Sequence, residues 1–399
     1  MKKGICMLTL LCLLAGLLTA CAGAESAAAV PDLTIARREI PDNEAMAFLK
    51  KIGVGWNLGN TFDAIKGDWN RKADEMSVET SWVGIKTTET MIDALQGAGF
   101  TAIRVPVSWH DHVDENYQIS EQWLNRVQEV VDWIYSRGMT VILNIHHDED
   151  QFLPTSGHTE ESARYVETVW TQLAARFRDY DDRLIMESMN EPRIVGHANE
   201  WWFDGNNADC RDAAAVLNEL NQLFVDTVRA SGGNNASRYL MVPGYDAAPA
   251  SVLNDYFVMP TDTANNRIIV SVHAYTPYAF ALEMPGTSSF GAQSQKQEIV
   301  SFMNGLYDRY IKNGIPVVIG EFGAMVKGDN LQDRVDWTAF YTATASARNL
   351  PVFWWDNNIF SGSGERFGLL DRKTCVFPHQ QIVDALMRYG GYEKIPEAK

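Results

Sequence analysis

Two glutamates stand where apolar runs end, Glu191 in 184-LIMESMNEP-192 and Glu321 in 316-PVVIGEFG-323. Two carboxyls facing each other across a cleft can break a glycosidic bond: one protonates the leaving oxygen while the other attacks the sugar or activates a water. A glutamate after an apolar strand can equally be half of a structural ion pair. Asn190 and Pro192 beside Glu191, and Gly320, Phe322 and Gly323 around Glu321, shape a strand end rather than a salt bridge. Other polar or aromatic residues hold the same relative place in their own runs: Asn57 and Asn60, Arg104, His146 and His147, His273 and Tyr275, and the tryptophans of 353-FWWDN-357.

His146 and His147 raise the question of a metal. Adjacent strand residues point to opposite faces, so the pair is expected not to chelate one ion, and Asp148 adds no recognised ligand spacing. Neither a metal nor a cofactor is expected.

The elements that must position these residues form a regular series. Eight short runs rich in Val and Ile begin near residues 53, 101, 139, 184, 238, 267, 316 and 351. Between them lie stretches with helical spacing, such as 86–99, 120–138, 160–177 and 333–349, several closed by Gly or Asn. Eight strand–helix pairs predict an α/β fold, a single (β/α)8 TIM barrel. A doubly wound open sheet shows the same alternation, but its first turn is glycine-rich, and Gly59-Asn60-Thr61 is no dinucleotide fingerprint. In a barrel, the polar residues at the C-terminal strand ends converge on one mouth.

The chain of 399 residues, 46% hydrophobic and 21% charged, has ample material for one large core. Its 34 Lys and Arg against 51 Asp and Glu give a net charge of −17, which excludes a protein that binds by neutralising phosphates, so no nucleic-acid partner is expected. Lys2 and Lys3 precede an apolar run from Ile5 to Leu18 that is short for a membrane span and ends in small residues, the pattern of a secretory signal over residues 1–20. The run closes on Leu18-Thr19-Ala20-Cys21, which resembles a bacterial lipobox and implies a lipidated Cys21 and an exported, membrane-anchored lipoprotein at the cell surface or outer membrane. Residues 21–37 are then expected as a tether and residues 38–399 as the catalytic domain. Cys6 and Cys12 lie in the signal, which leaves Cys210 and Cys375 as thiols or as one bridge.

Asn190-Glu191-Pro192, Gly320-Glu321-Phe322-Gly323, His273-Ala274-Tyr275, Ile145-His146-His147 and Ile103-Arg104-Val105-Pro106 together resemble glycoside hydrolase family 5, the barrel family of cellulases and mannanases. Gly55-Trp56-Asn57-Leu58-Gly59-Asn60, Glu191-Pro192-Arg193 and 354-WWDNN-358 are similar to the subfamily that cleaves cellulose-like β-1,4-glucans and xyloglucan. The resemblance implies a retaining mechanism with Glu321 as nucleophile, its pKa held down by Arg104 and oriented by Tyr275. Glu191 becomes the acid/base, its pKa raised beside the ionised Glu321. Asn190 is implied as the donor to the sugar 2-hydroxyl, His146 as a contact to substrate or nucleophile, and His273 as part of the acid/base network. Asn57, Arg104, His146, His147, Asn190, His273, Tyr275 and Trp355 are thus expected around the substrate, with Trp355 rather than Trp354 facing it.

Trp82, Trp109, Trp201 and Trp202 fall in loops at the same face and are expected as sugar platforms, as are Tyr278 and Phe280; Trp123, Trp133, Trp170 and Trp337 fall on helices and are expected in the core. The expected activity is that of a monomeric retaining endo-β-1,4-glucanase with a β-1,4-glucan polysaccharide as partner. A β-mannanase on the same scaffold and a surface glycan-binding lipoprotein are the alternatives. The second should lack one of the two glutamates, and both are present.

Overall fold

The computed structural model describes residues 28–66 and 74–397. The signal-like run, Ala20 and Cys21 lie outside the described residues. Eight strands form a closed parallel barrel in sequence order: β1 (Val54–Leu58), β2 (Ala102–Val105), β3 (Thr140–Asn144), β4 (Leu184–Glu187), β5 (Leu240–Pro243), β6 (Ile268–His273), β7 (Val317–Phe322) and β8 (Val352–Asp356). Every strand is buried along its length, as expected when helices cover the outside and side chains fill the inside. The helices foreseen from spacing occupy Glu89–Ala98, Glu121–Ser136, Thr159–Arg176 and Leu331–Ser346. The first ends on Gly99 at φ 104°, a left-handed position that a side chain would strain.

Alternation along β7 and β8 divides inside from outside. Phe322 points outward and meets Trp337, Tyr341 and Trp354, with ring centroids 5.7, 4.9 and 5.6 Å away. Glu321 and Trp355, one position along, therefore point into the barrel. Inside, Phe353 lies against β1 so closely that a Cβ on Gly55 would sit 2.1 Å from its ring, which only glycine permits. The register sets Asn57 level with Arg104 on one side and Trp355 on the other, and pairs His273 with Glu321. An irregularity between Val272 and His273 shifts that last pairing, a local change that re-aims side chains at a strand end.

The expected tether boundary at residue 37 moves. Ala29 exchanges two hydrogen bonds with the Gln332 side chain, Leu33 N–H donates to the Tyr389 hydroxyl, and Arg37 forms a bridge with Glu397 and ion pairs with Glu393 and Glu397. Backbone donors that would otherwise need water find protein partners here, so residues 29–39 belong to the domain. Cys210 and Cys375 are free thiols rather than a bridge. No helix among the described residues is long and apolar enough to cross a membrane.

Candidate active site

Glu321, from the end of β7, lies at the centre of the barrel mouth. Nη1 of Arg104 donates to its Oε1 at 2.6 Å and the Tyr275 hydroxyl donates to its Oε2 at 2.8 Å. Arg104 is closed to solvent, and its other donors are also used: Nε to Glu187 Oε2 at 2.7 Å, Nη2 to Asn190 Oδ1 at 2.7 Å and Nη1 to Asn57 Oδ1 at 3.0 Å. Asn57 is sealed as well, its amide donating to the Gly320 and Phe353 carbonyls. Two expected substrate contacts are thereby corrected. Arg104 and Asn57 form the floor beneath the two glutamates, because both are closed to solvent and their polar atoms are already engaged by protein partners.

Glu187 is the partner that sequence reasoning missed. It is fully buried in β4, pairs with Arg104 and accepts from Ser271 Oγ at 2.7 Å. An acid in the middle of the apolar run Leu184-Ile185-Met186-Glu187 was the available signal, since an ion is not buried without a partner.

Glu191 follows β4 and faces Glu321 across His273. Nδ1 of His273 lies 2.7 Å from Glu191 Oε1 and 3.7 Å from Glu321 Oε1. One carboxylate oxygen of each glutamate and a ring nitrogen of His273 all fall within 4.8 Å of one another. These three titrate together. Burial would lower His273, but the charges of Glu321 and Glu191 outweigh it and raise the imidazole above its ordinary value. On Glu191 burial works upward, yet the His273 hydrogen bond and charge bring the carboxyl below the usual glutamate range. On Glu321 burial prevails over His273 and Arg104, and the carboxyl sits above it. The order is therefore the reverse of that expected, because the hydrogen bond and charge of His273 lower Glu191 while burial prevails on Glu321.

Arg104 also fixes Asn190: its grip on Oδ1 leaves the Nδ2 hydrogens as the donor with no partner among the described residues. His146 is fixed in the same way by Asn144. The Val107 N–H donates to Asn144 Oδ1, so Asn144 Nδ2 faces His146 Nδ1 at 3.2 Å. Burial and the nearby charges of His147 and Arg104 keep His146 neutral, well below its ordinary pKa, so its one ring proton lies on Nε2. The ring stacks on Trp355, with centroids 5.7 Å apart and planes within 2°. Trp355 thus lines the mouth, while Trp354 is packed outside the barrel with its Nε1 on the Phe367 carbonyl.

The expectation that His146 and His147 diverge is corrected. Both follow the end of β3 at Asn144, where strand alternation no longer applies; their ring centroids are 4.4 Å apart, and Asp63 joins them with ligating atoms within 4.8 Å. Even so, Nδ1 of His146 accepts from Asn144 and Nε2 carries the proton, so neither nitrogen offers a metal a free lone pair.

Among the expected platforms, Trp82, Trp201, Trp202 and Tyr278 are exposed. Trp109 and Phe280 are not: both are fully buried, Trp109 with its Nε1 on the Asn144 carbonyl, so neither can meet a sugar.

Comparison with known proteins agrees with this geometry. Residues 68–361 match the model of Cellulase (glycosyl hydrolase family 5). The chain is 42% identical over 361 residues to the cellulase/esterase CelE of Acetivibrio thermocellus, covering 90% of this chain but only 42% of that protein's length. Among solved structures, a family 5 lichenase from Caldicellulosiruptor sp. F32, a mutant in complex with cellotetraose, is 52% identical with a TM-score of 0.89, covering 91% of this chain and 99% of that one. A xyloglucan-specific endo-β-1,4-glucanase from a metagenomic library, XEG5A, in complex with cellotriose, is 38% identical with a TM-score of 0.78, covering 86% and 98%. A closed barrel carrying two glutamates and the residues that hold them, matched along most of its length, belongs to glycoside hydrolase family 5.

Proposed function

We propose that the protein is a retaining endo-β-1,4-glucanase acting on cellulose-like glucans, with xyloglucan as a second polymer. The observation that carries the mechanism is the closeness of Glu191 and Glu321, with an oxygen of each inside 4.8 Å. Retaining pairs stand about 5–5.5 Å apart, whereas an inverting pair needs roughly 6.5–9.5 Å to admit a water between acid and sugar.

In the first step a Glu321 oxygen attacks the anomeric carbon as the bond to the leaving oxygen breaks, and Glu191 protonates that oxygen. Nδ1 of His273 and Oε1 of Glu191 share a hydrogen bond of 2.7 Å, and with its proton on the carboxyl the pair is a neutral imidazole and a protonated Glu191. A bound neutral glucan that expels water favours this uncharged pair, since desolvation penalises separated charge. Tyr275 and Arg104 hold Glu321 in line, and Asn190 Nδ2 and His146 Nε2 are donors for sugar hydroxyls. In the second step water attacks the anomeric carbon, loses a proton to Glu191 and releases Glu321, so that configuration is retained.

The glucan reading draws on the names of the relatives and on the exposed rings of Trp82, Trp201, Trp202 and Tyr278, which suit contacts along a sugar chain. Export and acylation at Cys21 complete the proposal and rest on the sequence pattern alone. The test is hydrolysis of barley β-glucan, carboxymethyl-cellulose, xyloglucan and mannan side by side. Reducing ends should rise on the glucans well ahead of free glucose. Glucose as the dominant early product would make the enzyme exo-acting, and a preference for mannan would replace the substrate.

A further inference from the structure

His273 uses one of its two ring nitrogens. Nδ1 lies 2.7 Å from Glu191 Oε1, while Nε2 is buried and has no hydrogen-bond partner among the described residues. The course of β7 decides what stands there instead. β7 takes three steps from Ile319 to Phe322 where β8 takes two from Val352 to Trp354, so β7 carries one extra residue between them. Such a bulge re-aims side chains, and here it turns Gly320 inward together with Glu321. A Cβ built on Gly320 would lie 3.2 Å from Nε2 of His273 and 3.3 Å from Cε of Met241, a fully buried residue of β5. Ring nitrogen, glycine and thioether methyl therefore meet at one point. The Gly320 carbonyl is engaged elsewhere, accepting from Asn57 Nδ2 at 2.9 Å.

A charged imidazole carries a hydrogen on each nitrogen, a neutral one on one of them. With Nδ1–H donating to Glu191, the hydrogen that makes the ring a cation sits on Nε2, against a methyl group. A buried N–H without an acceptor forfeits the hydrogen bond it made to water, and the loss is larger for a charged donor. One proton thus has two competing seats, Nε2 of His273 and the carboxyl of Glu191. Of the charged groups facing the ring, Glu191 after β4 and Glu321 from β7 favour the proton on Nε2, and Arg104 from β2 opposes it. His146 after β3 is neutral, Glu187 in β4 is engaged by Arg104 and Ser271, and Asp246 after β5 faces Glu191 and Glu321. We propose that Met241 is a positioning residue for the acid/base: its methyl withholds the acceptor that a cationic His273 needs, which leaves the proton to Glu191. The inference rests on the acid/base role proposed for Glu191.

The experiment follows the titration of His273 by nitrogen NMR of histidine-labelled protein without substrate, its resonance assigned by its loss in His273→Gln, and the pH profile of kcat/KM on cellopentaose. Met241→Gln sets an amide oxygen against Nε2 in a side chain of similar length. It should raise the pH at which Nε2 takes its proton by about one to two units, the worth of one hydrogen bond to a charged donor. The alkaline limb of kcat/KM should rise with it, because the pair holds its shared proton more tightly. The plateau should fall about tenfold, because that proton now sits on the ring. Met241→Leu keeps the wall apolar and should leave titration and profile unchanged. Met241→Ala makes room for a water that can accept from Nε2 and should move both in the direction of Met241→Gln, which decides the matter if the glutamine variant does not fold. An unmoved titration in the Gln and Ala variants, an equal shift in Met241→Leu, or a shifted titration with an unchanged profile would overturn the role of Met241. If the unmutated enzyme does not cleave cellopentaose, the proposed glucanase activity has failed, while the titration, read without substrate, still upholds or overturns the effect of Met241 on the ring.

Discussion

Nη1 of Arg104 lies 2.6 Å from Oε1 of Glu321, and neither Arg104 nor its second carboxylate, Glu187, has any exposed surface. A buried cation shared by two acids holds the floor of the site and draws the pKa of Glu321 downward against burial. Arg104→Lys keeps the charge but cannot reach Glu187, Asn190, Asn57 and Glu321 together, since an ammonium lacks the planar fork. Loss of a charge-assisted hydrogen bond should cost about 1.5–3 kcal/mol in urea unfolding. With less cation beside it Glu321 rises further, so the acidic limb of the kcat/KM profile should move to higher pH. An unmoved limb would show that Arg104 does not tune Glu321.

Roles of the two carboxyls separate under azide. Glu321→Ala cannot form a glycosyl-enzyme and should be inactive, although azide can attack directly and give a glycosyl azide of inverted configuration. Glu191→Ala should still be glycosylated by an aryl glycoside whose leaving group needs no proton, and azide should hasten its second step with retention. Product configuration read by proton NMR decides the matter. An inverted sugar from the unmutated enzyme would end the retaining assignment.

Glu149, beside the mouth, pairs with Arg193 at 2.8 Å and with His147 at 3.5 Å. Burial would raise its carboxyl, but His147 and Arg193 prevail and bring it down to about 2 from the ordinary 4.5. A depressed carboxyl contributes stability that is fully present above its unfolded value and is lost as pH falls toward the folded one. The shift corresponds to about 3 kcal/mol in full. Between pH 6 and pH 3 the stability advantage of the unmutated protein over Glu149→Gln should narrow by on the order of 2 kcal/mol. Urea unfolding across that range checks it, and a constant difference would mean that the pair is not formed.

Ala29 is docked on Gln332, so an acyl group on Cys21 would be joined to the domain through residues 22–28, eight Cα–Cα steps with a reach of at most about 29 Å. Cys21→Ala should release the protein from the membrane fraction, and intact-mass analysis of the unmutated protein should find a diacylated or triacylated cysteine at the mature N-terminus. Full membrane retention of the variant would refute the anchor.

The barrel and the face that gathers its polar residues were legible in the sequence because both obey local rules. Val- and Ile-rich runs followed by helical spacing specify strand and helix one after another, and eight such pairs close in one way. Glu191, Glu321, His273, Tyr275 and Asn190 close their runs with polar residues, which sets them at one mouth of a parallel barrel. Alternation along β8 offered two tryptophans, and packing of Trp354 against Trp337 outside left Trp355 within. What the sequence could not decide depends on contacts between distant strands. Register between β1 and β2, and side-chain bonds across the barrel to β7, put Asn57 and Arg104 beneath the site rather than on its surface. The turn after β3 brought His146 and His147 together where strand periodicity set them apart, and the bond from Val107 to Asn144 chose the tautomer of His146. Burial of Trp109 and Phe280 follows from the elements that close over them, and the charge on Glu191 follows from the place of His273, 2.7 Å away. Spacing along a chain reports which face a side chain takes within its own element; depth, partner and proton are properties of the whole barrel.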